Sequence, residues 1–240
     1  MVEMFANSLT NGFLISSFMG KGIVLLQLAA SVVMVSCIIG KMLTLSRLTA
    51  ATKRVTMDIM RGNSILEYYL SRRPSSNSPV EKIYTATCDR LVKTIDPVTR
   101  AALISRSQDR PMASLTSKEI ELVNSICEQK LNEEIINLDR GLILISTIVA
   151  LAPMLGLLGT VWGVLDAFAD MGSAGSATIA TMAPAISSAL VTTVVGLLVA
   201  IPGTIFFNSI SDHIRKLTAR IDGFVNDFTG RIDIEFGGER

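Results

Sequence analysis

The chain has 240 residues, 49% of them hydrophobic and only 18% charged, with a mean hydropathy of +0.48. That balance argues against an ordinary soluble domain, and with 22 Lys plus Arg against 21 Asp plus Glu nothing suggests a nucleic-acid surface. The charges are also segregated, leaving residues 22–40, 141–165 and 171–211 as uncharged runs of 19, 25 and 41 residues.

In chain order, residues 1–20 contain no Lys or Arg and no small-residue cleavage site after a short apolar core, so they read as a periplasmic N-terminal segment and not a cleavable signal peptide. Residues 21–41 form the first expected transmembrane helix, flanked by Lys21 and Lys41. At about 1.5 Å per residue it just crosses a hydrocarbon core of roughly 30 Å. Residues 42–139 are expected to be a cytoplasmic helical loop. Within it, residues 45–73 carry helix formers, residues 72–79 read as a linker, and a second helix is expected over residues 80–107, with Asp96-Pro97 as a point of interruption. Thr116 and Glu119 have capping-box spacing. They open a stripe of Ile120, Val123, Cys127, Leu131, Ile135, Leu138 and Leu142 at steps of three and four, and the pattern predicts one helix of about 50 residues running from the loop through the membrane. Residues 140–166 are the second span and residues 167–177 a periplasmic hairpin with the turn-forming Gly172-Ser-Ala-Gly-Ser176. Residues 178–208 are the third span, and residues 209–240 a cytoplasmic helical tail with its own stripe of Ile210, Ile214, Leu217, Ile221, Phe224 and Phe228. The expected fold is an all-α integral membrane protein with three transmembrane helices, the second and third extended into a cytoplasmic helical bundle. Residues 41–140 hold 16 Lys and Arg and the tail beyond residue 211 holds five, while residues 166–177 hold none. Positive-inside reasoning therefore places the N-terminus outside and the C-terminus in the cytoplasm.

Enzyme chemistry is poorly provided for. His213 is the single histidine and is expected to be solvated; Cys37, Cys88 and Cys127 are far apart and read as small apolar fillers. No glycine-rich phosphate loop or nucleophile motif occurs, so no catalytic residue, metal or cofactor is expected. The spans carry packing residues instead. Gly156, Gly159 and Gly163 have the small-residue spacing that lets helix backbones approach closely in lipid. Pro153 and Pro184 interrupt the backbone ladder where neighbouring protein can compensate.

Hydroxyls are the other feature of the spans. Thr181, Ser188 and Thr192 fall within about 20° of one helical line, Thr193 about 120° away, and Thr160 lies near the middle of the second span. Two readings fit: the hydroxyls bond back to their own helix or bridge to a neighbour, or they line a hydrated lumen. No Asp, Glu, His, Lys or Arg lies at membrane depth, since Asp166 and Asp170 are at the outer end. Proton relays use ionisable groups, so conduction would need a carboxylate from another subunit.

Residues 140–163, RGLILISTIVALAPMLGLLGTVWG, closely resemble the second-span signature of the MotA/TolQ/ExbB proton channel family, and residues 183–202, APAISSALVTTVVGLLVAIP, resemble its third-span signature. Three spans in 240 residues are similar to the ExbB/TolQ branch. The resemblance implies a homopentamer in the bacterial inner membrane, surrounding an ExbD/TolR-type single-span partner that carries the proton-binding aspartate. Proton flow would serve a TonB/TolA-type protein, in TonB-type transport or Tol-Pal-type envelope work. It also implies pore-lining roles for Thr160 and Thr193. The family pattern usually has a glutamate where this chain has Ser188, a glycine at Ala185 and an alanine at Ser187. A non-conducting scaffold of the same fold is the alternative expectation.

Overall fold

The computed structural model describes residues 10, 12–14, 16–62, 64–71, 77–95, 115–174 and 179–237. Most of the expected N-terminal segment, residues 96–107 with Asp96-Pro97, much of the 72–79 linker, residues 175–178 of the hairpin and the side chain of Thr181 lie outside that description. Among the described residues these helices follow in order: α1 Phe18–Arg61, α2 Ile65–Ser71, α3 Pro79–Thr94, α4 Ser117–Asp139, α5 Leu142–Ala174 and α6 Ile179–Phe236. No strand occurs among the described residues, which hold one isolated backbone bridge between Leu115 and Gly237. Three helical stretches are long and apolar enough to cross a membrane, within Phe18–Arg61, Ser117–Gly172 and Met182–Phe236.

The expected unbroken helix through the second span is corrected by one turn. After Asp139 the chain passes through Arg140 and Gly141 before α5 begins, and Gly141 has φ 88°. That left-handed conformation costs a residue with a Cβ roughly 1–2 kcal/mol, so the lone glycine is where the helix can break. In the opposite sense, the first span continues in one helix to Arg61, well past Lys41.

The chain divides into two compact units, Met1–Lys41 with Gly141–Ser211, and Met42–Arg140 with Asp212–Arg240. In the first unit the usual solvent logic is reversed. Leu25, Val32, Ile39, Leu151, Leu157, Val161, Leu190, Ile201 and Ile205 are all exposed, while the buried face of α5 is Ile145, Ile148, Ala152, Gly156 and Gly159. A helix that is apolar all round, with its small residues inward, is built for lipid.

The second unit follows the soluble rule. The α6 stripe Ile210, Ile214, Leu217, Ile221, Phe224 and Phe228 is buried, and it continues through Ile232 and Phe236. Only Ile210 of this stripe belongs to the first unit. In the second, α3 packs on α4 and buries Val80, Ile83, Cys88 and Leu91 together with Val123 and Cys127. Burial pushes both thiols up, away from reactive thiolate. At the start of α4, Thr116 and Glu119 form the capping box reciprocally, and bonds from Thr116 hold the Glu119 carboxyl below its usual range. The Tyr84 hydroxyl donates to the Ile65 carbonyl at 2.5 Å and accepts from the Tyr69 amide at 3.0 Å, while its ring lies 5.4 Å from Phe228. The end of α6 secures α2: Glu235 accepts from Ser64 Oγ at 2.5 Å and from the Ile65 amide at 2.9 Å, and Arg231 donates to the Gly62 carbonyl at 2.8 Å. The bond from the Ile65 amide satisfies one of the donors that a helix leaves open at its N-terminus.

Tyr84→Phe keeps the ring and removes both hydroxyl bonds to α2, whose Ile65 carbonyl and Tyr69 amide remain helix partners of each other, so a cost of about 0.5–1.5 kcal/mol is expected, read as a lower Tm of the detergent-solubilised protein. The Tyr69 hydroxyl donates to Asp89, and that bond, reinforced by burial, pushes its pKa up to about 12. The neutral phenol is the form the fold favours. Its stabilisation is complete below the ordinary tyrosine pKa of 10.0 and is lost as pH rises through about 12. Phenolate absorbance should show this late titration and lose it in Tyr69→Phe.

Candidate functional site

The spans meet where side chains are missing. A Cβ built on Gly156 would come within 2.8 Å of Thr193 Cα and 3.0 Å of the Thr192 carbonyl oxygen. One on Gly159 would overlap the Thr192 side chain, and one on Gly163 would reach Ala189 Cβ at 2.6 Å. On the opposite helix, a Cβ on Gly196 would lie 2.5 Å from the Ala152 carbonyl oxygen. α5 and α6 therefore pack so closely that three glycines of α5 and one of α6 leave no room for a side chain. Pro153 is half-buried within α5 and Pro184 is exposed on α6, both inside unbroken helices.

This approach decides where the hydroxyls go. Thr192, 1% exposed, is 3.1 Å from the Gly156 carbonyl and 2.7 Å from its own helix's Ala189 carbonyl, so its single proton is shared between them. Thr193 Oγ1 donates to the same Gly156 oxygen at 2.8 Å. On an ideal helix the two threonines point about 100° apart, and they converge because α5 lies over the groove between them. Ser188 is buried at 6% exposure and donates to Ala185 of its own helix at 2.9 Å; Thr160 donates to Leu157 at 2.7 Å. Of the hydroxyl residues in the pattern, Thr160 and Thr193 keep partial exposure, whereas Ser188 and Thr192 are turned into this chain's own interior. Thr181 lies in the first turn of α6 with its side chain outside the description.

A polar residue absent from the hydroxyl pattern joins this contact. Gln27 of α1 is fully buried and donates from Nε2 to the Ala152 carbonyl at 3.1 Å. It was legible as the one long polar side chain within residues 22–40, where a buried polar group needs a partner. A search for uncharged runs passes over it because an amide carries no charge.

The glycines, the paired hydroxyls and the second and third charge-free runs sit within the region that matches a family model described as the MotA/TolQ/ExbB proton channel family, over residues 91–223, more than half the chain. This chain belongs to the MotA/TolQ/ExbB proton channel family. A biopolymer transport protein ExbB of Neisseria gonorrhoeae is 30% identical over 176 residues, covering 72% of this chain and 78% of the relative. A biopolymer transport protein ExbB of Xanthomonas campestris pv. campestris is 39% identical over 107 residues, 45% of this chain and 42% of the relative. A Tol-Pal system protein TolQ of Haemophilus influenzae is 34% identical over 99 residues, 41% of this chain and 43% of the relative. The match thus spans less than half the length of the last two and most of the first. Within the MotA/TolQ/ExbB family it sits with relatives of the ExbB and TolQ kind.

Gly159→Ala should force α5 and α6 apart, because the buried, β-branched Thr192 has no long side chain to swing away. A cost of about 1–3 kcal/mol is expected from overpacking. Gly172→Ala, where a Cβ meets nothing within 4 Å, should leave the Tm unchanged or slightly higher. Thermal unfolding of the two variants side by side makes the comparison.

Proposed function

We propose that this chain is the multi-spanning subunit of an inner-membrane, ion-driven motor. It assembles as a homopentameric ring around an ExbD/TolR-type single-span partner, with its N-terminus periplasmic and its C-terminus cytoplasmic. The motor couples proton flow to TonB-type transport or Tol-Pal-type envelope work, and the chain itself is not an enzyme. Family membership and the names of its relatives support the class.

The observation that carries the reading is a pairing of presence and absence. Thr160 and Thr193 keep partly exposed hydroxyls in spans whose uncharged runs hold no Asp, Glu, His, Lys or Arg. A hydroxyl accepts and donates, so it can pass a proton along a water chain without storing one. Storage then falls to a carboxylate on the partner helix, the group that proton relays require. The driving force is the membrane potential, about 2.3 kcal/mol per charge per 100 mV.

A second reading, a non-conducting scaffold of the same fold, is favoured by Ser188, whose hydroxyl is buried and bonded within its own helix. Proton flux into liposomes holding this chain and its partner separates the two. The motor reading expects flux that Thr160→Val and Thr193→Val each reduce at least several-fold while the complex still assembles. Unchanged flux in both variants would remove these threonines from the path, and no flux in the unaltered complex would favour the scaffold.

A further inference from the structure

Gln27 occupies an unusual position. Its side chain has no solvent exposure, its Nε2 is bonded to Ala152, and its Oε1 has no hydrogen-bond partner among the described residues. Two of the four glycines that bring the spans together, Gly156 and Gly196, lie beside this amide. A Cβ on Gly196 would sit 2.9 Å from Gln27 Nε2 and one on Gly156 3.5 Å from it. The carbonyls of Ala152 and Gly156 are one turn apart on α5. The first takes the Gln27 amide and the second takes the Thr193 hydroxyl. On α6, Gly196 and Thr193 are three residues apart, so the same two turns of α5 and α6 are held at one level from α1 and at the next by Thr193.

We infer that Gln27 is a positioning residue for Thr193: its amide fixes the Ala152–Gly196 level of the helix contact and thereby holds the Thr193 hydroxyl on the Gly156 carbonyl. This deepens the ion-path reading of Thr193 and, for its functional consequence, rests on it. An amide with an unpaired oxygen is an expensive way to fill space, because a leucine would fill much the same space without burying an unsatisfied acceptor. Its donor is the part that a leucine cannot replace. Without it, no hydrogen bond among the described residues ties α1 to Ala152, and α6 can turn so that Thr193 leaves Gly156. The uncharged runs of all three helices surround the amide, so no charged side chain there substitutes for it.

Thiol labelling reads the position of residue 193 directly. In full-length protein in bilayers, Thr193→Cys is labelled with a membrane-permeant maleimide, with and without Gln27→Leu, and the native Cys37 of α1 serves as internal control. A hydrogen bond in this setting corresponds to a change of about threefold to tenfold, so the labelling rate at 193 should rise by that factor while Cys37 is unchanged. An unchanged rate at 193, or an equal rise at Cys37, overturns the inference. With the partner present, Gln27→Leu should lower proton flux at near-normal Tm. Gln27→Glu should match the unaltered complex at acidic pH, where the carboxyl still donates to Ala152, and fall behind it as pH rises and the donor is lost. A Gln27→Glu complex that tracks the unaltered one at every pH would also overturn it. A complex without flux in any form would refute the motor reading alone, and labelling would still decide the role of Gln27.

Discussion

The membrane unit depends on the close approach of α5 and α6 at their glycines. In water, two helices associate because apolar surface leaves the solvent; in lipid that drive is absent, and van der Waals contact and hydrogen bonds must suffice. Gly156, Gly159, Gly163 and Gly196 make that possible by removing the side chains that would hold the backbones apart. Once the backbones touch, short side chains can reach across. Thr192 and Thr193 then find the Gly156 carbonyl, and Gln27 finds Ala152. The polar contacts are a consequence of the glycines, because a larger residue at 156 or 196 would displace the donors themselves.

The second unit is held by different physics. Its core is aromatic and aliphatic, with Tyr84, Phe224 and Phe228 in ring contact and Ile65, Leu66, Leu91 and Ile221 fully buried. Burial of this kind yields roughly 25 cal/mol per Å² of apolar surface in water and would yield nothing in lipid. Polar clasps finish the work at chain ends, where Glu235 and Arg231 secure the start of α2. α1 and α6 each contribute residues to both units, so one helix must satisfy both regimes along its length. The α6 sequence shows the change of code: small residues, two hydroxyls and two valines line its buried face up to Gly203, and larger branched and aromatic side chains line most of it from Ile210 onward.

Much of this was legible in the residues. Three uncharged runs became three helices able to cross a membrane, and the Ile210-to-Phe228 stripe is buried at every position named. Such features are set by composition and period, which act locally. The break at Gly141 escaped because a lone glycine in a helical pattern is usually tolerated, and its φ of 88° depends on the turn it serves. The facing of the hydroxyls escaped for a different reason. Helical geometry fixes the angle between Thr192 and Thr193 but not where the neighbouring helix lies. With hydroxyls on several faces of α6, only the position of the glycines on α5 selects which ones are buried. Gln27 escaped because charge marks depth in a sequence, while a neutral amide at the same depth leaves no mark.

The same packing bears on the position where the family pattern usually has a glutamate. Residue 188 is 6% exposed, inside an uncharged stretch of α6, and Ser188 donates to the Ala185 carbonyl of its own helix. A serine satisfies itself there, since one proton and one carbonyl close the account locally. An ionised carboxylate in the same place has no donor to face, and the cost of burying it unpaired is several kcal/mol. It would need water, a cation or a neighbouring subunit to open or complete the site. With Ser188 the α5–α6 contact carries no such demand and remains packed whatever the protonation state of its surroundings. Within the membrane, the uncharged runs of this chain supply neutral hydrogen-bonding groups and a fixed geometry, with no Asp, Glu, His, Lys or Arg among them.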